Sequence, residues 1–379
     1  MFQTRIYSSQ SPLTQKALVE IGTEYHRDNF SADFALIFSS IHHANQGHHL
    51  NQALSDVFDQ IPFIGWLGTS IYHEQSIPEW QPALVVVLFK GVQAHVRTTG
   101  PKDYGSHLGI SLLADSPTGG CRFLTINSEP IDHSGLLATL DEQLVPLIGG
   151  ISLSPKNMPG VVISSANQDE TATCAGIASV SGINMVATIA HGTHLLGPKH
   201  KVTASQNNLL LELDNAPALD ILLDDLPQEL HDELAQLGNQ LFVGMSTPDG
   251  DEWLMRHIAG IDPQSGVLIL TDTCAPDTEL AFFMREADAA RQNIQDAVHN
   301  LKESLGSETP ATILLFNCTS RDEALLGAPL FDVQTIKETF LDIPIAGFAG
   351  GGELVTVGRN SHLFQHCSIV VAILEEPVQ

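Results

Sequence analysis

The amino-acid sequence predicts a mixed α/β (α+β) protein of two related regions, residues 1–213 and 214–379, with largely antiparallel or mixed sheets covered by helices. Three observations lead there. Short, continuous apolar runs such as Phe34–Phe38, Leu84–Phe89 and Ala311–Phe316 have the length and two-sided hydrophobicity of buried strands. Amphipathic stretches separate some of these runs, yet too many strands follow one another directly for a doubly wound parallel sheet. The same short patterns also recur, in order, in both halves of the chain.

In chain order, Ser11-Pro12 reads as a helix start and Gly22 as its stop, with Leu13, Ala17, Leu18 and Ile21 on one face. Asp33–Phe38 is a strand. A His-rich loop from His42 to His49 follows, then a helix carrying Leu50, Ala53, Leu54, Val57 and Phe58. Ile61–Gly65 and Pro82–Phe89 are strands. From Thr98 to Ser128 the pattern breaks into Gly, Pro, Ser and Thr, and no element is assigned. Ser134–Leu147 reads as helix, and Gly160–Ser164, Ile183–Ile189 and Lys201–Leu213 as strands. Asn215, Ala216 and Pro217 open a helix with Leu219, Ile221, Leu222 and Leu226 at the seam between regions. Strands follow at Leu241–Met245, Trp253–Ile258, Val267–Thr271 and Leu280–Arg285. A long helix carries Ala290, Ile294, Ala297, Val298, Leu301 and Leu305, with Gly306 past its end. After strand Ala311–Phe316 and a helix around Thr335–Phe340 come the Gly-rich stretch Ile343–Glu353 and a closing strand, Ser368–Leu374.

The internal echo has three parts. Phe34–Ser39 matches Thr312–Asn317, Ile61–Trp66 matches Ile343–Phe348, and the valine-rich strand Leu84–Leu88 matches Ile369–Ile373. Repetition in the same order at similar spacing indicates duplication. A duplication would place the Gly-rich turns of both halves about a pseudo-two-fold axis, with a shared cleft between them.

Composition narrows the function classes. The 379 residues carry 44 acidic against 17 basic side chains, a net charge of −27, which repels phosphate backbones and anionic lipid. Nucleic acid is not an expected partner. No apolar run of about 18 residues occurs and the N-terminus has no signal-peptide core, so membrane insertion and secretion are not expected. Five scattered cysteines without a Cys-x-x-Cys pair suit a reducing cytoplasm.

Several dispersed motifs lie in one order: Phe34–Ser39, Ile61–Gly65, His191-Gly-Thr-His194-Leu-Leu-Gly-Pro198, Asp214–Leu219, Asn317-Cys318-Thr-Ser-Arg321, Gly347-Phe348, Gly352-Glu353 and His366-Cys367-Ser368. From about residue 31 onward, this series resembles the FIST family, whose N- and C-terminal regions occur in bacterial signalling proteins and some eukaryotic F-box proteins. The chain departs from the usual pattern at Asn317, where Ser is common, and around Gly350, Gly351, Val355 and Thr356. The resemblance implies a sensory protein that binds a small molecule, with amino acids or their derivatives as proposed ligands, and that signals to a partner protein.

The residues themselves place the chemistry. Arg321 and Glu353 each follow a buried strand, where sheets commonly display ligand contacts. A guanidinium matches a carboxylate and a carboxylate matches an ammonium, so the two suit a zwitterion such as an amino acid, or else they pair with each other. Asn317, Cys318, Gly347, Gly350, Gly352 and His194 complete the expected ligand-binding set. Cys318 with His366 offers an alternative, a thiol nucleophile for hydrolysis or amide chemistry. A metal on the His42–His49 loop would be a second enzymatic route, although the spacing is not a zinc pattern. A ligand-free interaction scaffold is the remaining alternative. The glycines at 347–352 lack the Lys-Ser/Thr of a phosphate loop, and no cofactor is expected.

Overall fold

The computed structural model describes residues 2–73, 77–99, 106–113, 116–117, 119–127, 133–154, 162–166, 174–234, 236–246 and 253–376. Gly160 and Val161 of the expected strand, and the side chain of His48, lie outside this set. The chain forms two compact units, residues 1–190 with 294–379, and residues 191–293. The sequence division at 213/214 therefore falls inside the second unit.

The first unit is built from three modules of one plan. The first has β1 (Gln3–Ser9), α1 (Thr14–Asp28), β2 (Phe34–Ser40), α2 (Gly47–Val57), β3 (Phe63–Gly68), the short arm β4 (Ile71–His73) and β5 (Leu84–Lys90). The second has β6 (Gln93–Thr99), α3 (Ser106–Leu113), β7 (Cys121–Asn127), α4 (His133–Asp141), β8 (Leu147–Ser152), the arm β9 (Ile163–Ser164) and β10 (Ala175–Ser181). The third opens with β11 (Ile183–Ala190), where the second unit is inserted into the chain.

The inserted unit carries β12 (Thr193–Leu195), β13 (His200–Gln206), β14 (Leu209–Leu213), β15 (Ala216–Pro217), α5 (Ala218–Asp225), β16 (Leu241–Ser246), β17 (Trp253–Asp262), β18 (Val267–Leu270) and β19 (Glu279–Arg285). β19, β13, β14, β18, β17 and β16 pair in turn, and β16 pairs back onto β19, closing an antiparallel barrel. Leu210, Leu222, Val243, Leu268 and Phe282 fill it. The third module then resumes with α6 (Ala287–Leu305), β20 (Thr312–Cys318), α7 (Glu323–Leu326), α8 (Phe331–Thr339), β21 (Ile345–Gly350), an arm hairpin of β22 (Glu353–Val357) and β23 (Asn360–Phe364), and β24 (Ser368–Glu375).

Each module makes one sheet in the same order: β1-β5-β2-β3, β6-β10-β7-β8 and β11-β24-β20-β21. The third and fourth strands in these orders, β2–β3, β7–β8 and β20–β21, are parallel and joined through helical connections, whereas β5, β10 and β24 run antiparallel to β2, β7 and β20. The duplication seen in the sequence is present, and a third copy stands between its two halves, including the Thr98–Ser128 stretch where no element was assigned. The modules are tied by exchanged arms. β4 of the first adds to β21 of the third, β9 of the second to β3 of the first, and β22 of the third to β8 of the second. The exchange is cyclic, so every fourth strand gains a neighbour from another module along part of its edge.

A glycine occupies the same register position in all three. A β-carbon on Gly65, Gly149 or Gly347 would lie 2.3, 1.9 and 1.9 Å from the carbonyl oxygens of Ile37, Leu124 and Leu315 on the parallel neighbour. Only glycine permits that approach. The expected shared cleft on a two-fold axis is replaced by packing. Phe38, Trp66, Phe316 and Phe348 meet with ring centroids 5.2–6.1 Å apart, and Trp66 Nε1 donates to the Leu124 carbonyl at 3.2 Å.

Helix boundaries differ from expectation: α4 ends at Asp141, and Leu147, expected as its last residue, opens strand β8; α5 starts at Ala218 after the short strand Ala216–Pro217; and α1 differs at both ends. Gly22 lies within α1 rather than ending it, and its missing side chain admits Val57 of α2, 3.2 Å from where a β-carbon would sit. The helix ends at Asn29, in the left-handed region at φ 49°. Ser11 makes no cap, because Leu13 occupies that place and Ser11 Oγ accepts from the Leu13 amide.

Candidate functional site

The C-terminal ends of β20 and β21 and the start of β24 gather most of the residues singled out in the sequence. Two polar groups form there, within the first unit. In one, Asp332, on the first turn of α8, takes Arg321 in a two-pronged ion pair: Nε to Oδ2 and Nη2 to Oδ1, each 2.9 Å. Asn317 Nδ2 donates to Asp332 Oδ2 at 2.9 Å, as does Ser368 Oγ at 2.8 Å, and Ser368 also donates to Asn317 Oδ1. Asn317 Nδ2 reaches the Tyr72 hydroxyl at 3.3 Å, and Tyr72 arrives on the arm exchanged from the first module. All five side chains are buried. Burial alone would raise the Asp332 carboxyl, but the Arg321 charge and the converging donors outweigh it and hold it below its usual range. The Asp332 carboxylate likewise keeps Arg321 charged against the effect of burial.

The second group is built on two cysteines. Cys318 ends β20, and its amide donates to the Cys367 carbonyl at 3.0 Å, continuing the antiparallel register in which Asn317 faces Ser368. Ser320 Oγ lies 3.1 Å from Cys318 Sγ and 3.0 Å from His366 Nδ1. His366 is held at φ 61°, a conformation that costs a non-glycine residue energy. Burial pushes the Cys318 thiol up, but hydrogen bonding and charge from His366, with Ser320, bring it down to about 6. Cys367 Sγ donates to Glu353 Oε2 at 3.4 Å, while Glu353 Oε1 has no hydrogen-bond partner among the described residues. Glu353 is 1% exposed. Its burial and then the neighbouring Cys318 raise it well above the carboxylate range, and the Cys367 thiol is raised for similar reasons.

The sequence-predicted residues therefore fall as follows. Arg321, Asn317, Cys318, Glu353 and His366 come together. Arg321 takes Asp332 as partner, and Glu353 faces the cysteines. Gly347 serves the packing of β21 on β20. A β-carbon on Gly350 would meet Phe348 and the Ile151 carbonyl, and one on Gly352 would press on Leu363 and Ile151. His194 belongs to the second unit, where Nδ1 lies 3.6 Å from Glu286. Of the His-rich loop, His43 is buried, bonded to Thr14 Oγ1 at 2.9 Å, and depressed by burial to about 4. No cluster of three or more metal-ligating side chains occurs among the described residues.

Sequence reading did not assign roles to Asp332, Ser320, Cys367, Ser368 or Tyr72. A signal existed for Asp332: it shares helical spacing with Ile336 and Phe340, so a charged residue sat on an apolar face. None existed for Tyr72, which joins the cluster only through the arm exchange.

Fold and site define a class of protein: three strand-exchanged α/β modules with an inserted barrel unit, carrying buried ionisable groups at the strand ends of the third module. The chain belongs to the FIST family. The FIST N domain matches residues 33–216 and the FIST C domain residues 218–356, and FIST domains are associated with sensing and signal transduction. An uncharacterized protein of Mycobacterium bovis is 23% identical over 373 residues, covering 93% of this chain and 94% of that protein. An uncharacterized protein of Mycobacterium tuberculosis is 24% identical over 347 residues, covering 87% and 88%. Among solved structures, a cyanuric acid hydrolase from A. caulinodans aligns over 100% of both chains with a TM-score of 0.40 and 8% identity. No helix among the described residues is long and apolar enough to cross a membrane.

Proposed function

We propose that this protein is a sensor that binds a small zwitterion or carboxylate, such as an amino acid, at the strand ends of the third module and reports it to a partner protein. One observation carries the reading: Glu353 is a buried carboxyl, raised above its ordinary range by burial and the neighbouring Cys318, with one oxygen lacking a partner among the described residues. A buried polar atom left in this state costs free energy that a ligand group would recover. Cys318 and Arg321 lie within electrostatic reach of it. The test is a thermal-shift screen against amino acids and small carboxylates. A ligand present at 100 times its Kd stabilises the folded state by about 2.7 kcal/mol. The expected result is a shift from one compound that Glu353→Gln abolishes while melting normally on its own. No shift from any compound, or one fully retained in Glu353→Gln, overturns the reading.

The contact of Cys318 with Ser320 and His366 favours a second reading, thiol-dependent hydrolysis or amide processing. Here iodoacetamide labels Cys318 at pH 7 well ahead of Cys274, whose thiol burial raises to about 11. A Cys318 that stays unlabelled removes the nucleophile.

A further inference from the structure

We propose that Cys318 and Cys367 form a peroxide-reactive dithiol, with Cys318 as the attacking thiol and Cys367 as the thiol that resolves it into a cross-strand disulfide. The inference stands apart from the ligand reading, since it needs no bound molecule in the site.

Register supplies the first argument. The antiparallel register of β20 and β24 ends at Asn317 and Ser368; carried one step further it sets Cys318 opposite Cys367, and the Cys318 amide donates to the Cys367 carbonyl at 3.0 Å. Side chains of directly opposed residues emerge on the same face of a sheet. Hydrogen-bonded antiparallel pairs have α-carbons about 5.5 Å apart, inside the roughly 4.4–6.8 Å that a disulfide spans. Cys121, by contrast, faces Val180 across its strand pair.

The two thiols are also unlike in the way the chemistry requires. Cys318 is 6% exposed beneath the half-buried Ser320 and His366, whereas Cys367 is 0% exposed. The thiol nearer the surface is the one contacted by a hydroxyl and an imidazole, and its depressed thiol value agrees with the attacking role. The inner thiol is kept protonated and faces a carboxyl.

The steps balance with a hydroperoxide as oxidant. Cys318 sulfur attacks the terminal oxygen of ROOH, the O–O bond breaks, and RO⁻ leaves. That anion recovers the proton that the thiol gave to the Ser320–His366 pair, leaving sulfenic acid on Cys318. Cys367 sulfur then attacks Cys318 sulfur and the S–O bond breaks. The Cys367 proton passes to the departing hydroxide, which leaves as water. Two thiols lose two electrons, and the peroxide is reduced to ROH and water.

The test treats the full-length protein with one to a few equivalents of hydrogen peroxide, blocks free thiols, and maps peptides without reduction. The expected product is a peptide pair linked through Cys318 and Cys367, released by dithiothreitol. In Cys367→Ala the sulfenic acid should persist on Cys318 and be captured by dimedone, and Cys318→Ser should give neither product. The proposal is overturned if both cysteines remain alkylatable in the wild type after peroxide. It is equally overturned if Cys318 proceeds to sulfinic acid without the link, or if oxidation falls first on Cys121, Cys174 or Cys274.

Discussion

Replacing Asp332 by alanine removes the acceptor for four hydrogen bonds: two from Arg321, one from Asn317 and one from Ser368. Asn317 and Ser368 keep each other as partners, but Arg321, 3% exposed, is left as a buried cation without its counter-charge. Removing one member of a buried ion pair costs about 3–5 kcal/mol, a large part of the roughly 5–15 kcal/mol that holds a protein folded. At about 2–4 °C per kcal/mol for chains of this order of size, the melting temperature should fall by about 10 °C. The double variant Arg321→Met, Asp332→Leu removes both charges, fills the space with apolar atoms, and should recover most of the loss, because the pair's own desolvation cost disappears with it. Urea denaturation followed by far-ultraviolet circular dichroism measures both, with the midpoint compared at constant slope. A cost below about 1 kcal/mol for Asp332→Ala, or a double variant no more stable than the single one, would refute the electrostatic account of this cluster.

Gly149→Ala and Gly347→Ala should each cost more than about 2 kcal/mol, since the added carbon would lie 1.9 Å from a neighbouring carbonyl oxygen, whereas Gly238→Ala meets nothing within 4 Å. Comparable stabilities for the three would disprove the strand-contact requirement. In the second unit, His200 is gripped by Asp214 at Nδ1 (2.7 Å) and Asp225 at Nε2 (2.9 Å). Burial lowers His200, but the two carboxylates more than compensate and raise it, while the Lys201 amide and then His200 lower Asp214. A raised histidine contributes stability that is complete below its unfolded value near 6.5 and is lost as pH rises through its folded value. The depressed Asp214 contributes above its unfolded value and fades as pH falls. Melting of this unit should decline above about pH 6.5, and His200→Gln should flatten that limb. An unchanged slope in the variant would exclude His200 as its source.

Much of the strand framework was legible because a strand buried on both faces needs an uninterrupted apolar run, and Phe34–Phe38, Leu84–Phe89 and Ile369–Ile373 supply one. The middle module escaped for the opposite reason. Its central strand β7 buries Arg122, Thr125 and Asn127. Arg122 donates to the Leu140 carbonyl and to Gln143, and Thr125 pairs with Ser152. Polar residues whose partners lie in other segments break the run that a reader looks for.

The sequence by itself determined the α/β class, most of the strands, and the gathering of polar and titratable residues after β20 and β21, because periodicity and strand-end position depend on neighbours along the chain. Tertiary structure alone decided the number of modules, the cyclic exchange of arms, the choice of Asp332 rather than Glu353 as the partner of Arg321, and the opposition of Cys318 to Cys367. Each of these follows from contacts between segments distant in sequence, Tyr72 with Asn317 being 245 residues apart. The ionisation of Cys318 and Glu353 belongs to the same class, since it is set by desolvation and by charges that only the folded chain brings within reach.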